Sequence, residues 1–104
     1  MNETMIILYS SIIIFVIGLY GLIAHRNAIR MLISIELLLN AANLNLVNFA
    51  HRTALENALQ AQILTLFSIA LAAVEAAIGI AIFINLYRIY GRAEVDLARE
   101  LKEV

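Results

Sequence analysis

The sequence predicts an all-α membrane protein with three transmembrane helices, and three observations carry that prediction. Of its 104 residues 63% are hydrophobic and 14% charged, whereas a soluble domain runs at about 45–50% apolar and about 25% charged. The charges gather between long apolar runs rather than within them. The absence of proline, with only four glycines, excludes collagenous and loop-rich chains. The absence of cysteine excludes disulfides, thiolate metal sites and iron–sulfur ligation by this chain. A net charge of −1 without a basic tract argues against a nucleic-acid partner.

The first helix is expected over 5–24, because residues 4–24 hold no Asp, Glu, Lys or Arg. At ~1.5 Å per residue that run crosses a hydrocarbon core of ~30 Å. A cleaved signal peptide is not expected, since Met1-Asn2-Glu3-Thr4 is acidic and the apolar run is too long. A basic turn follows, His25-Arg26-Asn27-Ala28-Ile29-Arg30. The second helix is expected over 29–50, with Glu36 as its one charge after Arg30. Polar residues from His51 to Asn57 interrupt the pattern, and the third helix is expected over 61–87, with Glu75 as its one charge. Residues 88–104 form a tail in which Val95, Ala98 and Leu101 recur at helical spacing, so it either docks or stays solvated. The whole chain, 1–104, reads as one membrane domain.

Lysine and arginine counts set the orientation. Arg26, Arg30, Arg88, Arg92, Arg99 and Lys102 fall on one side of a three-span chain, and Arg52 alone falls on the other. The positive-inside rule then places the N-terminus outside and the C-terminus on the cytoplasmic side, or its stromal or matrix equivalent.

Glu36 and Glu75 are the two residues that call for a reason. An acidic side chain at mid-membrane costs about 2.5–3.5 kcal/mol on insertion scales, and such groups face protein or water. At 100° per residue Asn40 and Asn43 fall within about 40° of Glu36, giving the second helix a polar face. Asn45 points nearly opposite, which puts protein on two sides of that helix. On the third helix Ser68 and Gly79 flank Glu75, with Ala72 nearby. Counted from Ile29, Glu36 lies roughly 10 Å inside the cytoplasmic boundary, and Glu75, counted back from Tyr87, roughly 18 Å. Two proton stations offset in depth and bridged by water are therefore expected rather than a direct carboxyl pair. The competing reading is that both carboxylates only specify assembly. Two carboxylates without clustered histidines match no metal site. Three helices enclose too little volume to seal a proton path, which points to a subunit of a larger complex.

Gly18-Leu19-Tyr20-Gly21, then Arg26-Asn27, then Ile33-Ser34-Ile35-Glu36-Leu37-Leu38-Leu39-Asn40-Ala41-Ala42-Asn43-Leu44 closely resembles the small three-helix subunit of the complex I membrane arm. That family is NuoK in bacterial nomenclature and NdhE in photosynthetic relatives. Ala72-Ala73-Val74-Glu75-Ala76-Ala77-Ile78-Gly79 resembles its second signature. The resemblance spans about residues 6–90. It implies a non-redox subunit of a proton-pumping quinone oxidoreductase, inactive in isolation, in a cell inner membrane or its thylakoid or organelle equivalent. It carries the family's proton-relay glutamates over to Glu36 and Glu75, with Asn40, Asn43, Ser68 and the loop residue Arg26 in support. Many relatives have a second basic residue where this chain has His25. Quinone, iron–sulfur clusters and flavin are expected in other subunits, none being bound by this chain, and antiporter-like membrane subunits are the expected neighbours. Two rival readings are a small subunit of a multisubunit cation/proton antiporter and a purely structural membrane subunit.

Overall fold

A computed structural model describes residues 2–52, 55–91 and 100–102. Three helices follow one another, α1 (Glu3–Ala24), α2 (Ala28–Arg52) and α3 (Leu55–Tyr90). All three are long and apolar enough to cross a membrane, with mean hydropathies of 2.5, 1.3 and 2.3 over their best windows. The chain is an integral, multi-pass membrane protein. Its longest dimension, 54 Å, is the length of α3 at ~1.5 Å per residue.

Local chemistry sets the helix ends. The Asn2 side chain accepts a hydrogen bond from the Met5 amide at 3.0 Å and caps α1. Asn27 does the same for α2, its Oδ1 accepting from Ile29 at 3.0 Å and from Arg30 at 3.3 Å. α3 ends where Gly91 takes φ 73° and its amide donates to the Tyr87 carbonyl at 2.8 Å, a left-handed stop that suits glycine.

α3 begins six residues before the expected position 61. The stretch from Leu55 to Gln60 is polar enough to look like a loop by hydropathy, yet a helix outside the hydrocarbon core needs no apolar residues. Of the tail helix expected after Gly91, residues 92–99 lie outside the described residues, while 100–102 are helical.

α2 lies between α1 and α3, which scarcely meet each other. The α1–α2 seam is close because Gly18 sits against the Ser34 carbonyl and the Leu38 side chain. Nearby, Ser34 Oγ occupies the space a Cβ would need at Gly21. Ser34 Oγ itself donates to the Arg30 carbonyl at 2.9 Å. Further along the same seam Ser11 Oγ donates to the Leu8 carbonyl at 2.7 Å and reaches Asn45 Oδ1 at 3.0 Å. Near the end of α2 Asn48 Nδ2 reaches the Thr4 carbonyl at 3.4 Å. Asn45 thus meets α1, on the side opposite α3.

The buried set is small or polar: Ser11, Ala28, Ser34, Ala41, Asn43, Asn48, Ala50, Thr65 and Ala72. The large Ile, Leu, Val and Phe side chains point mainly outward, among them Ile13, Ile23, Leu66 and Phe67. Water would make that arrangement untenable. In a bilayer it is the expected one, because lipid is as apolar as leucine and helices associate through small residues and hydrogen bonds.

Candidate functional site

The α2–α3 seam holds most of the polar residues singled out by the sequence. Ser68 Oγ donates to Asn43 Oδ1 at 2.7 Å and ties the two helices together. Eleven residues nearer the start of α2, Leu32 packs where a Cβ on Gly79 would stand, 3.0 Å from Leu32 Cδ1. From Ser68 to Gly79 is also eleven residues, so the antiparallel helices keep one register between the two contacts. Glu36 follows Leu32 by four residues and Glu75 precedes Gly79 by four. The two glutamates therefore stand at about the same level along the seam.

This corrects the depth offset expected from the sequence. Counting inward from Tyr87 took the end of α3 as the membrane boundary. In the observed register Phe83 is level with Ala28, the first residue of α2, and α3 continues to Tyr90, ~10 Å further. Measured from the start of α2, both glutamates lie at ~12 Å.

Level does not mean adjacent. Glu36 is half-buried and lines two grooves on the seam. One, of about 380 Å³, also holds Asn40, Asn43, Ala72 and Ala73. The other, of about 550 Å³, holds Ile29, Ile33, Ala76, Ile80 and Ile84 beside Glu36 and Asn40. Glu75 lines neither of them and is exposed on the surface of the chain. Helical geometry gives the reason: Ala73, Ala76 and Ile80 fall on one side of buried Ala72, and Glu75 falls about 60° to the other side. Ser68, Ala72 and Gly79 all turn toward α2, so the face expected to bury Glu75 is an α2-packing face with Glu75 at its edge. The structure thus brings together Glu36, Asn40, Asn43 and Ser68, and leaves Glu75 apart.

Arg26 lies in the three-residue turn between α1 and α2, exposed and outside the linings of the seam grooves. Two residues that sequence reasoning passed over, Thr65 and Gln62, line the groove beyond Asn43 together with His51 of the polar break. Thr65 lies about 60° from Ser68 on the helical wheel of α3, within the face that meets α2, whereas Gln62 lies about 120° from it, so no single-face pattern picks it out. Among the described residues, no three His, Asp or Glu side chains come together.

Comparison with known proteins follows these features. Residues 6–103 match the family model described as NADH-ubiquinone/plastoquinone oxidoreductase chain 4L. The chain belongs to this family. It is 48% identical over 96 residues to NADH-quinone oxidoreductase subunit K 2 of Streptomyces avermitilis, covering 89% of this chain and 74% of that protein. It is 50% identical over 92 residues to NADH-quinone oxidoreductase subunit K of Bacillus cereus, covering 88% of each. It is also 55% identical over 74 residues to the chloroplastic NAD(P)H-quinone oxidoreductase subunit 4L of Nephroselmis olivacea, covering 71% of this chain and 72% of that one. As a member of the chain 4L family it is a membrane subunit of a complex I-type quinone oxidoreductase.

Proposed function

We propose that this subunit passes protons sideways through the membrane arm of its complex, by way of Glu36 and Glu75. The observation that carries the reading is the register: two acidic side chains at about one depth, one in the α2–α3 groove and the other at the opposite edge of the α2-packing face of α3. An acidic group exposed on a membrane helix must meet protein or water rather than lipid. Glu75 is therefore a contact point with a neighbouring subunit, and Glu36, within the groove, is the station that this chain itself shelters. Adjacent helix axes lie about 8–10 Å apart. That spacing suits two carboxyl groups linked by water or by a neighbour's polar side chain.

Protonated, each carboxyl group is neutral and tolerable in the membrane. Deprotonated, it needs hydrogen-bond donors, and the amides of Asn40 and Asn43 line the same groove as Glu36. Ser68 donates to Asn43 Oδ1 and so turns the amide nitrogen away from itself, leaving Asn43 Nδ2 for the groove. The N-terminus lies outside and the C-terminus on the cytoplasmic side, by the charge asymmetry of the loops. Antiporter-like membrane subunits flank the chain, and flavin, iron–sulfur clusters and quinone belong to other subunits.

Purification of the C-terminally tagged chain in mild detergent tests this assignment. Recovery of antiporter-like subunits together with iron–sulfur subunits is expected. Antiporter-like subunits without any redox protein would move the chain to a cation/proton antiporter, and recovery of the chain alone would contradict both.

A further inference from the structure

The other seam of the chain, between α1 and α2, carries a groove of its own with a different chemistry. It encloses about 250 Å³ and opens beside the turn that joins the two helices. At its mouth stand His25, the half-buried residue that ends α1, and Arg30, exposed in the first turn of α2. Deeper in, its walls are Ile17 and the Tyr20 ring from α1, and Ile33 and Leu37 from α2. Leu37 lies seven residues beyond Arg30, ~10 Å further into the membrane at ~1.5 Å per residue. Gly21 and Ser34 form the floor. The Ser34 hydroxyl fills the place of a Gly21 side chain and donates its hydrogen to the Arg30 carbonyl at 2.9 Å, so the two helices close the groove from below. No Asp or Glu lines it.

We infer that this groove holds one anionic phospholipid, with its phosphate on His25 and Arg30 and the upper part of one acyl chain between Ile17, Ile33 and Leu37. The site shares no residue with Glu75 or Glu36 and does not depend on the relay. Charge and geometry select the headgroup. A guanidinium presents a planar fork of donors that matches phosphate oxygens two at a time, and imidazole keeps an N–H donor in either protonation state. Helical side chains lean toward the N-terminus of their helix. Arg30 therefore leans toward the turn, with its stem along the apolar wall and its charge at the headgroup level. Basic pockets between membrane helices on the cytoplasmic side are the kind that bind anionic headgroups, and the positive-inside rule puts this turn on that side. The shape selects the tail. A free anion would occupy the mouth and leave the aliphatic walls bare. A neighbouring helix, ~10 Å across, could cover the groove but not enter it, whereas a single acyl chain is narrow enough to lie along it.

The test uses the tagged complex in lipid nanodiscs that contain a small fraction of photoactivatable lipid, with a diazirine midway along one acyl chain. The probe is either phosphatidylglycerol, which is anionic, or phosphatidylcholine, which is not. After illumination the mass of lipid attached to this chain is read peptide by peptide. Phosphatidylglycerol is expected on the peptides that contain Ile17, Ile33 or Leu37, in about fivefold excess over phosphatidylcholine, the factor that one basic side chain gives at a membrane surface. Arg30→Gln together with His25→Gln should abolish that excess, Arg30→Lys with His25 intact should keep part of it, and Arg88→Gln, which alters an exposed charge at the end of α3, should leave it unchanged. Equal attachment of the two lipids, attachment of neither, or an excess that Arg88→Gln removes as fully as the double variant would overturn the proposal. Displacement of the lipid by inorganic phosphate added to the nanodiscs would overturn it too, in favour of a free anion. The comparison of the two lipids on the unsubstituted complex decides the matter even if the double variant fails to assemble.

Discussion

The two seams of α2 respond differently to an added methyl group, and Gly18 and Gly79 measure the difference. A Cβ on Gly18 would stand 2.9 Å from the Ser34 carbonyl oxygen and 3.1 Å from Leu38 Cγ and Cδ2. That oxygen belongs to the backbone of α2 and cannot turn aside. To restore ordinary contact α1 must retreat by about half an ångström, since ordinary contact begins at 3.4 Å. Overpacking of this kind costs about 1–3 kcal/mol, and replacing a mid-helix glycine by alanine returns about 0.5–1 kcal/mol. Gly18→Ala is therefore expected to lose about 1 kcal/mol net and at most about 2.5 kcal/mol. A Cβ on Gly79 meets only the Leu32 side chain, at 3.0 Å from Cδ1 and 3.4 Å from Cδ2. A leucine tip can move into the aliphatic groove beside it, so Gly79→Ala is expected to be neutral or slightly stabilising. The assay is stepwise heating of the detergent-solubilised complex, followed by measuring how much tagged chain remains with its neighbours. Gly18→Ala should depart several degrees below the parent protein, and Gly79→Ala should track it. Equal losses, or the reverse order, would refute the claim that backbone contact makes the α1–α2 seam the unyielding one.

Other outcomes follow from single contacts. Asn27→Ala removes the cap of α2 and should cost about 1 kcal/mol, while Asn27→Asp should keep most of it; the same heating assay separates the two. Ser11→Ala removes the Asn45 bond across α1–α2, and interhelical bonds in membranes average about 0.6 kcal/mol. A loss well above about 2 kcal/mol, beyond the largest such bond measured, would mean that Ser11 does more than this bond. Ser68→Ala frees the Asn43 amide to rotate, so proton translocation per quinone reduced should fall while the amount of assembled complex stays within about twofold. A parallel fall in both would assign Ser68 to packing alone.

Much of the architecture was legible because charges punctuate the chain. The basic stretch 25–30 covers the three residues between α1 and α2 and the first turn of α2, and the polar break after Ala50 falls where α2 ends and α3 begins. Asn45 could be placed opposite Glu36 from 100° arithmetic alone, and it does meet Ser11 on α1. The end of a helix beyond the hydrocarbon core was less legible, because hydropathy reports burial in lipid rather than helicity, and α3 runs past that core. The same blind spot produced the depth error for Glu75. Lateral register is written in pair contacts such as Asn43–Ser68 and Leu32–Gly79, and no single-helix pattern contains it. That Glu75 is not covered by α2 was illegible for a related reason. Ser68 and Gly79 do flank it on a helical wheel, but the partner they face is α2, and the 60° that separates Glu75 from Ala72 is enough to leave it on the outer surface.

The central claim is that two level carboxyl groups carry protons through this subunit. It is tested most directly by the ratio of protons moved to quinone reduced in sealed vesicles, for complexes containing Glu36→Gln or Glu75→Gln. Glutamine keeps the size and the hydrogen bonding but cannot exchange a proton. Each substitution is expected to lower the ratio sharply with the complex recovered in normal amount. An unchanged ratio in both variants would contradict the account and leave the two glutamates a role in assembly alone.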